Sequence, residues 1–105
     1  MNSAVKNYTD AFAPVDEVTS YCDAHGLGSA VALAASLSDR LFQPFASTAY
    51  LSRDPDTGER WVTVFVKTTK SAEAASDAYE QFIKEWVRVA DPTAREKVRL
   101  SYTVE

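Results

Sequence analysis

The sequence predicts a single α+β domain in the order α-α-β-β-α-β, with a small, mostly antiparallel three-stranded sheet packed on the third helix. Three observations carry this prediction. Two β-rich stretches flank a turn sequence, a long amphipathic helix pattern follows them, and an alternating stretch ends the chain. A chain of 105 residues, 46% of them hydrophobic, has enough apolar side chains for one core and is too short for two. We therefore treat residues 1–105 as one domain.

Two helices are predicted in the N-terminal part of the chain. Residues 1–12 show no hydrophobic period, so we expect a loosely ordered arm there. Pro14 suits the first turn of a helix, because its missing N–H would be unpaired there, and helical spacing of apolar residues extends the prediction over about residues 14–25. Ser29 is a candidate N-cap for a second helix over residues 30–42. Apolar positions surround most of that second helix, which is typical of burial on more than one side.

A β-hairpin is predicted over residues 45–68. The first strand ends near Ser52, and the second covers residues 60–68, which are rich in β-branched and aromatic side chains. The connection between them contains proline, aspartates and glycine, which suit a tight turn. Pairing Arg53 with Arg60 places the apolar residues of both strands on one face. In this register Leu51 lies opposite Val62, Ala49 opposite Val64 and Ser47 opposite Val66.

A third helix and a last strand complete the predicted fold. Ser71 is a candidate N-cap for an amphipathic helix that runs to about Ala90, and one further turn follows it. Residues 97–104 then alternate between apolar and polar side chains, which predicts a strand. The right-handed crossover rule places the third helix on the valine face of the hairpin. The pattern allows the last strand to pair with either strand of the hairpin. We favour the spatial order 2-1-3, in which it lies beside the first strand.

The opposite face of the predicted sheet carries large aromatic side chains among polar ones, and we call it the aromatic face. Its residues are Thr48, Tyr50, Trp61, Thr63, Phe65, Lys67 and Arg99. One aromatic side chain buries about 150–250 Å². At ~25 cal/mol per Å² this is too much apolar surface to leave in water without a reason.

Three explanations of the aromatic face stay open. In the first, the two N-terminal helices cover it within the chain. In the second, it forms an interface with another copy or with another protein, as exposed apolar patches often do. In the third, it stacks a ligand or unpaired bases with the help of Lys67, Lys97 and Arg99.

Few residues suggest chemistry. Cys22 and His25 are the only cysteine and histidine, and their spacing puts both on the apolar side of the first helix. Two side chains are too few for a zinc site, so we expect packing and helix termination. Asp54, Asp56 and Glu59 do not match the spacing of a calcium loop, so we expect a hairpin turn. The sequence therefore predicts no catalytic residue, metal site or cofactor.

Composition narrows the class of protein. The net charge of −4 disfavours nucleic-acid binding through a basic field. No run approaches the roughly 18 apolar residues of a membrane span, and the first residues lack the pattern of a secretion signal. One cysteine cannot form an internal disulfide, which agrees with a reducing cytoplasm.

The sequence thus favours a non-enzymatic cytoplasmic protein that assembles through the aromatic face, either as a homodimer or with an unknown protein partner. Two alternatives stay open. One is a domain that binds a small molecule or single-stranded nucleic acid on the same face. The other is a small enzyme that uses His25 or the loop carboxylates.

Overall fold

The computed structural model describes residues 15–105, which fold in the order α-α-β-β-α-α-β. The helices are α1 (Val15–His25), α2 (Gly28–Phe42), α3 (Ala72–Val89) and α4 (Pro92–Lys97), and the strands are β1 (Ala46–Arg53), β2 (Arg60–Thr68) and β3 (Val98–Val104). The α+β class and the packing of the hairpin and last strand on α3 are confirmed. The further turn expected after α3 is the short helix α4. The predicted arm over residues 1–12 lies outside the described residues.

The sheet has the strand order β1-β2-β3. β1 and β2 pair antiparallel from Ala46–Lys67 to Arg53–Arg60, which is the predicted register. β3 lies beside β2 and runs parallel to it, so the predicted order 2-1-3 is wrong and the sheet is mixed. The physical reason is the connection: α3 and α4 carry the chain back to the end where β2 begins, and β3 then runs in the same direction as β2.

The hydrophobic core lies on the valine face of the sheet. Val62, Val64 and Val66 are 0–2% exposed because β2 has a strand on each side and helices above it. The helices contribute their buried side chains to the same cluster: Tyr21, Cys22, Ala34, Leu37, Phe42, Ala75, Ala78, Phe82, Trp86 and Ala94. All four described helices therefore pack on one side of the sheet.

The junction between α2 and β1 fixes the end of α2 against the sheet. Gln43 adopts a left-handed conformation (φ 48°) that ends the helix. Just before it, the Phe42 ring packs 5.2 Å from that of Tyr102, and the Phe42 carbonyl oxygen accepts a hydrogen bond from the Thr68 hydroxyl at 2.9 Å. Just after it, the Phe45 N–H donates to the Lys67 carbonyl oxygen at 3.0 Å and starts the pairing of the hairpin.

Helix N-termini differ in how they are capped. The Ser71 hydroxyl accepts from the Ala74 N–H at 3.1 Å, which confirms the predicted cap of α3. The Asp91 carboxylate caps α4 by accepting from the Ala94 N–H at 2.8 Å. The predicted Ser29 cap is wrong. α2 begins two residues earlier than predicted, at Gly28, and Leu27 stands at its N-cap with no side-chain hydrogen bond.

One ion pair joins α2 to α3. Arg40 Nη2 lies 2.6 Å from Glu85 Oε1, and Gln81 Nε2 donates to the other carboxylate oxygen at 2.9 Å. The hydrogen bond from Gln81, followed by that from Arg40, lowers the pKa of Glu85 below its ordinary value.

We expect Phe42→Ala to lower the free energy of unfolding by about 3–5 kcal/mol, because it removes a fully buried ring from the centre of the core. Phe45→Ala is the matched control. Phe45 is 57% exposed, and its loss should change stability by less than ~0.5 kcal/mol. Urea denaturation of both variants measures the difference, and similar losses in both would contradict the position of the core.

We also expect Glu85→Gln to destabilise the fold at neutral pH and to have no effect in acid. The folded-state pKa of Glu85 is lowered, so the ionised pair stabilises the fold above the ordinary glutamate pKa. This stabilisation is lost as the pH falls through the lowered value. Thermal melts of wild type and variant across that range test the expectation. Glu80→Gln, on the same helix and outside the ion pairs among residues 17–105, should show no such pH-dependent difference.

Candidate interface on the sheet

α1 and α2 do not cover the aromatic face, because they lie on the other side of the sheet. The first of the three explanations of this face is therefore wrong. The Tyr21 hydroxyl of α1 donates to the Arg60 carbonyl oxygen at 2.9 Å, and Tyr21 is buried in the same cluster as Val62. The end of α2 packs on Tyr102, which is the strand partner of Val66. Tyr21 was missed as a core residue because the apolar spacing of α1 was counted from Val15, Val18, Cys22 and His25.

The seven residues of the aromatic face lie together on one side of the sheet. The register of β1 and β2 pairs Thr48 with Phe65 and Tyr50 with Thr63. The parallel pairing of β3 then puts Arg99 opposite Thr63. It also extends the face by Ser101 and Thr103, which were not predicted as site residues although their alternation in the sequence marks them as facing outward.

Trp61 and Arg99 form the most specific contact on this face. The guanidinium carbon of Arg99 lies 4.2 Å from the centre of the Trp61 ring, which is a cation–π geometry. Arg99 Nε also donates to the Glu96 carbonyl oxygen at 3.0 Å, so the backbone at the end of α4 holds the side chain in place. The half-buried Trp61 ring is therefore partly covered by a cation of its own chain.

The centre of the face is closely packed. Thr63 is only 5% exposed, and its hydroxyl lies 2.7 Å from that of Ser52, so this polar group is satisfied. Tyr50, the strand partner of Thr63, has its ring 6.5 Å from the Phe65 ring, and both rings are half-buried. These cross-strand pairs stabilise the sheet on the side where no described helix lies.

Charged side chains pair at both ends of the face. Lys97 Nζ and Arg99 Nη2 lie 3.4 Å and 3.9 Å from Glu59 Oε2 at one end. Lys67 Nζ lies 3.7 Å from Glu105 Oε2 at the other. The cations that favoured binding of unpaired bases therefore have acidic neighbours, which reduces the local positive potential.

Cys22 is a core residue, which confirms its interpretation as packing. It is 7% exposed, and burial, with a smaller effect of the Asp23 charge, raises the pKa of its thiol. The thiolate is the reactive form of cysteine, so this environment suppresses nucleophilic chemistry. His25, the last residue of α1, is exposed and lies with its ring 4.2 Å from that of Tyr21.

The carboxylates of the hairpin turn are arranged for the turn itself. Asp54 Oδ1 accepts from the N–H groups of Asp56 at 2.8 Å and Thr57 at 3.4 Å. Gly58 has a φ of 77° and donates from its N–H to the Asp54 carbonyl oxygen. The predicted hairpin turn is confirmed. Among the described side chains, no three His, Cys, Asp or Glu residues are grouped so as to hold a metal ion.

Two cavities lie on the helical side of the molecule. One, of about 410 Å³, lies between the α1–α2 turn and the junction of α3 with α4. The other, of about 330 Å³, lies between α1 and the hairpin and is lined by Tyr21, His25, Leu51 and Arg60, among others. Neither is lined by a residue of the aromatic face.

Comparison of the chain with protein-family models, with curated proteins and with solved structures finds no match in any of the three. Within residues 15–105, no helix combines the length and the apolar character needed to cross a membrane.

We expect the Cys22 thiol to react with a disulfide reagent more than about tenfold more slowly in the folded protein than in denaturant, because burial limits both access and thiolate formation. The chain has one cysteine, so the absorbance change reports this residue alone. Rapid reaction of the folded protein at neutral pH would indicate an accessible thiolate and would contradict the burial of Cys22 in the core.

Proposed function

We propose that this protein is a cytoplasmic assembly module whose aromatic face docks against the same face of a second copy. The observation that carries the proposal is the position of the helices: every helix of residues 15–105 packs on the valine face, while the opposite face carries the Trp61–Arg99 pair. A sheet that packs face to face with another buries such a surface at a separation of about 10 Å.

Charge distribution favours a second copy as the partner. A two-fold interface places the same patch on both sides, so the patch must be complementary to itself. One end of the face carries Glu59 with Arg99, and the other carries Lys67 with Glu105. Because each end contains both signs, neither end would meet a second copy with charges of one sign only.

The size of the face favours a reversible dimer. A stable interface buries about 800 Å² on each partner. The three rings are already half-buried within their own chain, so less than the full ~150–250 Å² per ring remains to be removed from water. We therefore expect association at micromolar concentrations rather than an obligate dimer.

Nucleic acid is a weaker candidate for the same face. A base that stacks on Trp61 would have to displace Arg99 from the ring. The net charge of −4 also opposes binding to phosphates.

Sedimentation or light scattering at high micromolar concentration tests the dimer. We expect wild type to approach twice the monomer mass, and Thr48→Arg to stay monomeric because it adds a charge at an exposed position of the face without removing a ring. Phe65→Glu should also dissociate the dimer. Val87→Arg, at a 51% exposed apolar position on α3, is the control and should associate like wild type. A monomeric wild type, or equal association of Thr48→Arg and wild type, would rule out this interface.

A further inference from the structure

The outer edge of β1 is open within the described part of the chain. β1 pairs with β2 on one side and has no strand of residues 15–105 on the other. We propose that this edge binds an acidic peptide, which adds to the sheet as a further antiparallel strand. The edge is distinct from the aromatic face and takes a different partner.

The backbone of β1 has hydrogen-bonding groups that face away from β2. At the end of the hairpin, the Asp54 N–H donates to the Glu59 carbonyl oxygen at 2.8 Å. In an antiparallel pair, the backbone groups of successive residues point alternately toward and away from the partner strand. Counting back from Asp54, the residues that point away are Arg53, Leu51, Ala49 and Ser47. Within residues 15–105 their N–H and C=O groups have no hydrogen-bond partner, so an added strand can bond to them.

The sequence of β1 lacks the features that usually protect an edge strand. Natural edge strands are commonly kept from pairing by charged side chains, proline or a bulge. Residues 46–52 contain no charged residue and no proline, and the strand pairs with β2 in one continuous register. β3, at the other edge of the sheet, carries Arg99. β1 is therefore the edge that accepts a further strand more readily.

A cavity of about 330 Å³ lies beside this strand, between α1 and the hairpin. Glu17, Ser20, Tyr21 and Ala24 line it at helical spacing, so one side of α1 runs along it. Leu51 lines it from β1. A residue placed opposite Leu51 in the added strand shares its side of the sheet. An apolar side chain at that position would pack on Leu51 and lose contact with water.

Two arginines at one end of this edge favour an acidic partner. Arg53 and Arg60 stand directly opposite each other at the last pair of the hairpin strands, and like charges in such positions destabilise a sheet. Neither takes part in an ion pair among residues 17–105. The guanidinium carbon of Arg60 lies 5.1 Å from the centre of the Tyr21 ring, at the wall of the cavity.

The nearby carboxylates leave these arginines without a counterion. Asp54 accepts hydrogen bonds within the hairpin turn, and the ion pairs of Glu59 are with cations of α4 and β3. Glu17, the carboxylate in the cavity lining, pairs with neither arginine. A carboxylate placed opposite Arg53 in the added strand would lie on the same side of the sheet as both guanidinium groups. In an antiparallel strand this residue comes two positions before the one opposite Leu51.

Titration of ¹⁵N-labelled protein with the end-blocked peptide Glu-Thr-Val-Thr-Val-Thr tests the proposal. Its glutamate can stand opposite Arg53 and its first valine opposite Leu51. We expect saturable shifts of the amide signals of the four outward residues of β1. The same peptide with glutamine in place of glutamate should bind about fivefold more weakly, because it lacks the charge that the arginines favour.

N-methylation of the peptide tests for strand addition. In the proposed pairing the valine N–H groups point at β1, and the threonine N–H groups point away. N-methylation of both valines should therefore abolish binding. N-methylation of the two threonines that precede them is the matched control and should preserve it.

Two variants with the same change of net charge locate the site. Arg53→Glu should weaken binding of the acidic peptide by about tenfold or more, because it puts a like charge opposite the glutamate. Arg88→Glu is the control: Arg88 is an exposed residue of α3 outside the cavity lining, and its replacement should leave binding unchanged. The dispersion of the amide signals verifies that both variants are folded.

Four results would overturn the proposal: no saturable shift at millimolar peptide, equal binding of the glutamine peptide, equal binding of the two N-methylated peptides, or equal binding by Arg53→Glu. Phe65 lies on the other side of the sheet from Arg53 and Leu51, so Phe65→Glu should bind the peptide like wild type. Failure of the edge and failure of the dimer are therefore distinguishable. Shifts of the same amides in Phe65→Glu with protein concentration alone would assign the edge to a second copy and overturn the acidic peptide.

Discussion

Burial of one face of β2 is the constraint on which the rest of the fold depends. Val62, Val64 and Val66 are 0–2% exposed, and burial of each contributes about 1.5–3 kcal/mol as an upper estimate. β1 and β3 occupy both edges of this strand, and the helices from both halves of the chain cover its valine side. Because these helices meet on one side, no helix of residues 15–105 packs on the other side of the sheet.

Side-chain pairs stabilise the aromatic face within the described part of the chain. Arg99 lies over Trp61, and Ser52 satisfies the hydroxyl of Thr63. These contacts reduce the apolar surface that faces outward, and they also reduce what a partner could gain by covering it. The same geometry that makes the face stable in one chain is the reason to expect reversible rather than permanent association.

The sequence predicted the hairpin well because two independent signals agree there. Alternation decides which side chains share a face, and the turn decides which residues stand opposite one another. The position of β3 could not be predicted in this way. Alternation over residues 98–104 identifies the side of β3 that faces the core. It does not identify the neighbouring strand, because β3 could pair with either β1 or β2 and still turn that side to the core. The useful signal was β2 itself, whose nearly continuous run of apolar and β-branched residues from Trp61 to Val66 is typical of a central strand.

The larger cavity was beyond sequence analysis because its walls come from separate elements that meet only in the folded chain. Small side chains at Ala30, Ala90 and Ala94 leave space beside Trp86. Leu33 of α2 and Val89 of α3 are exposed at its opening, and only the folded chain brings them together.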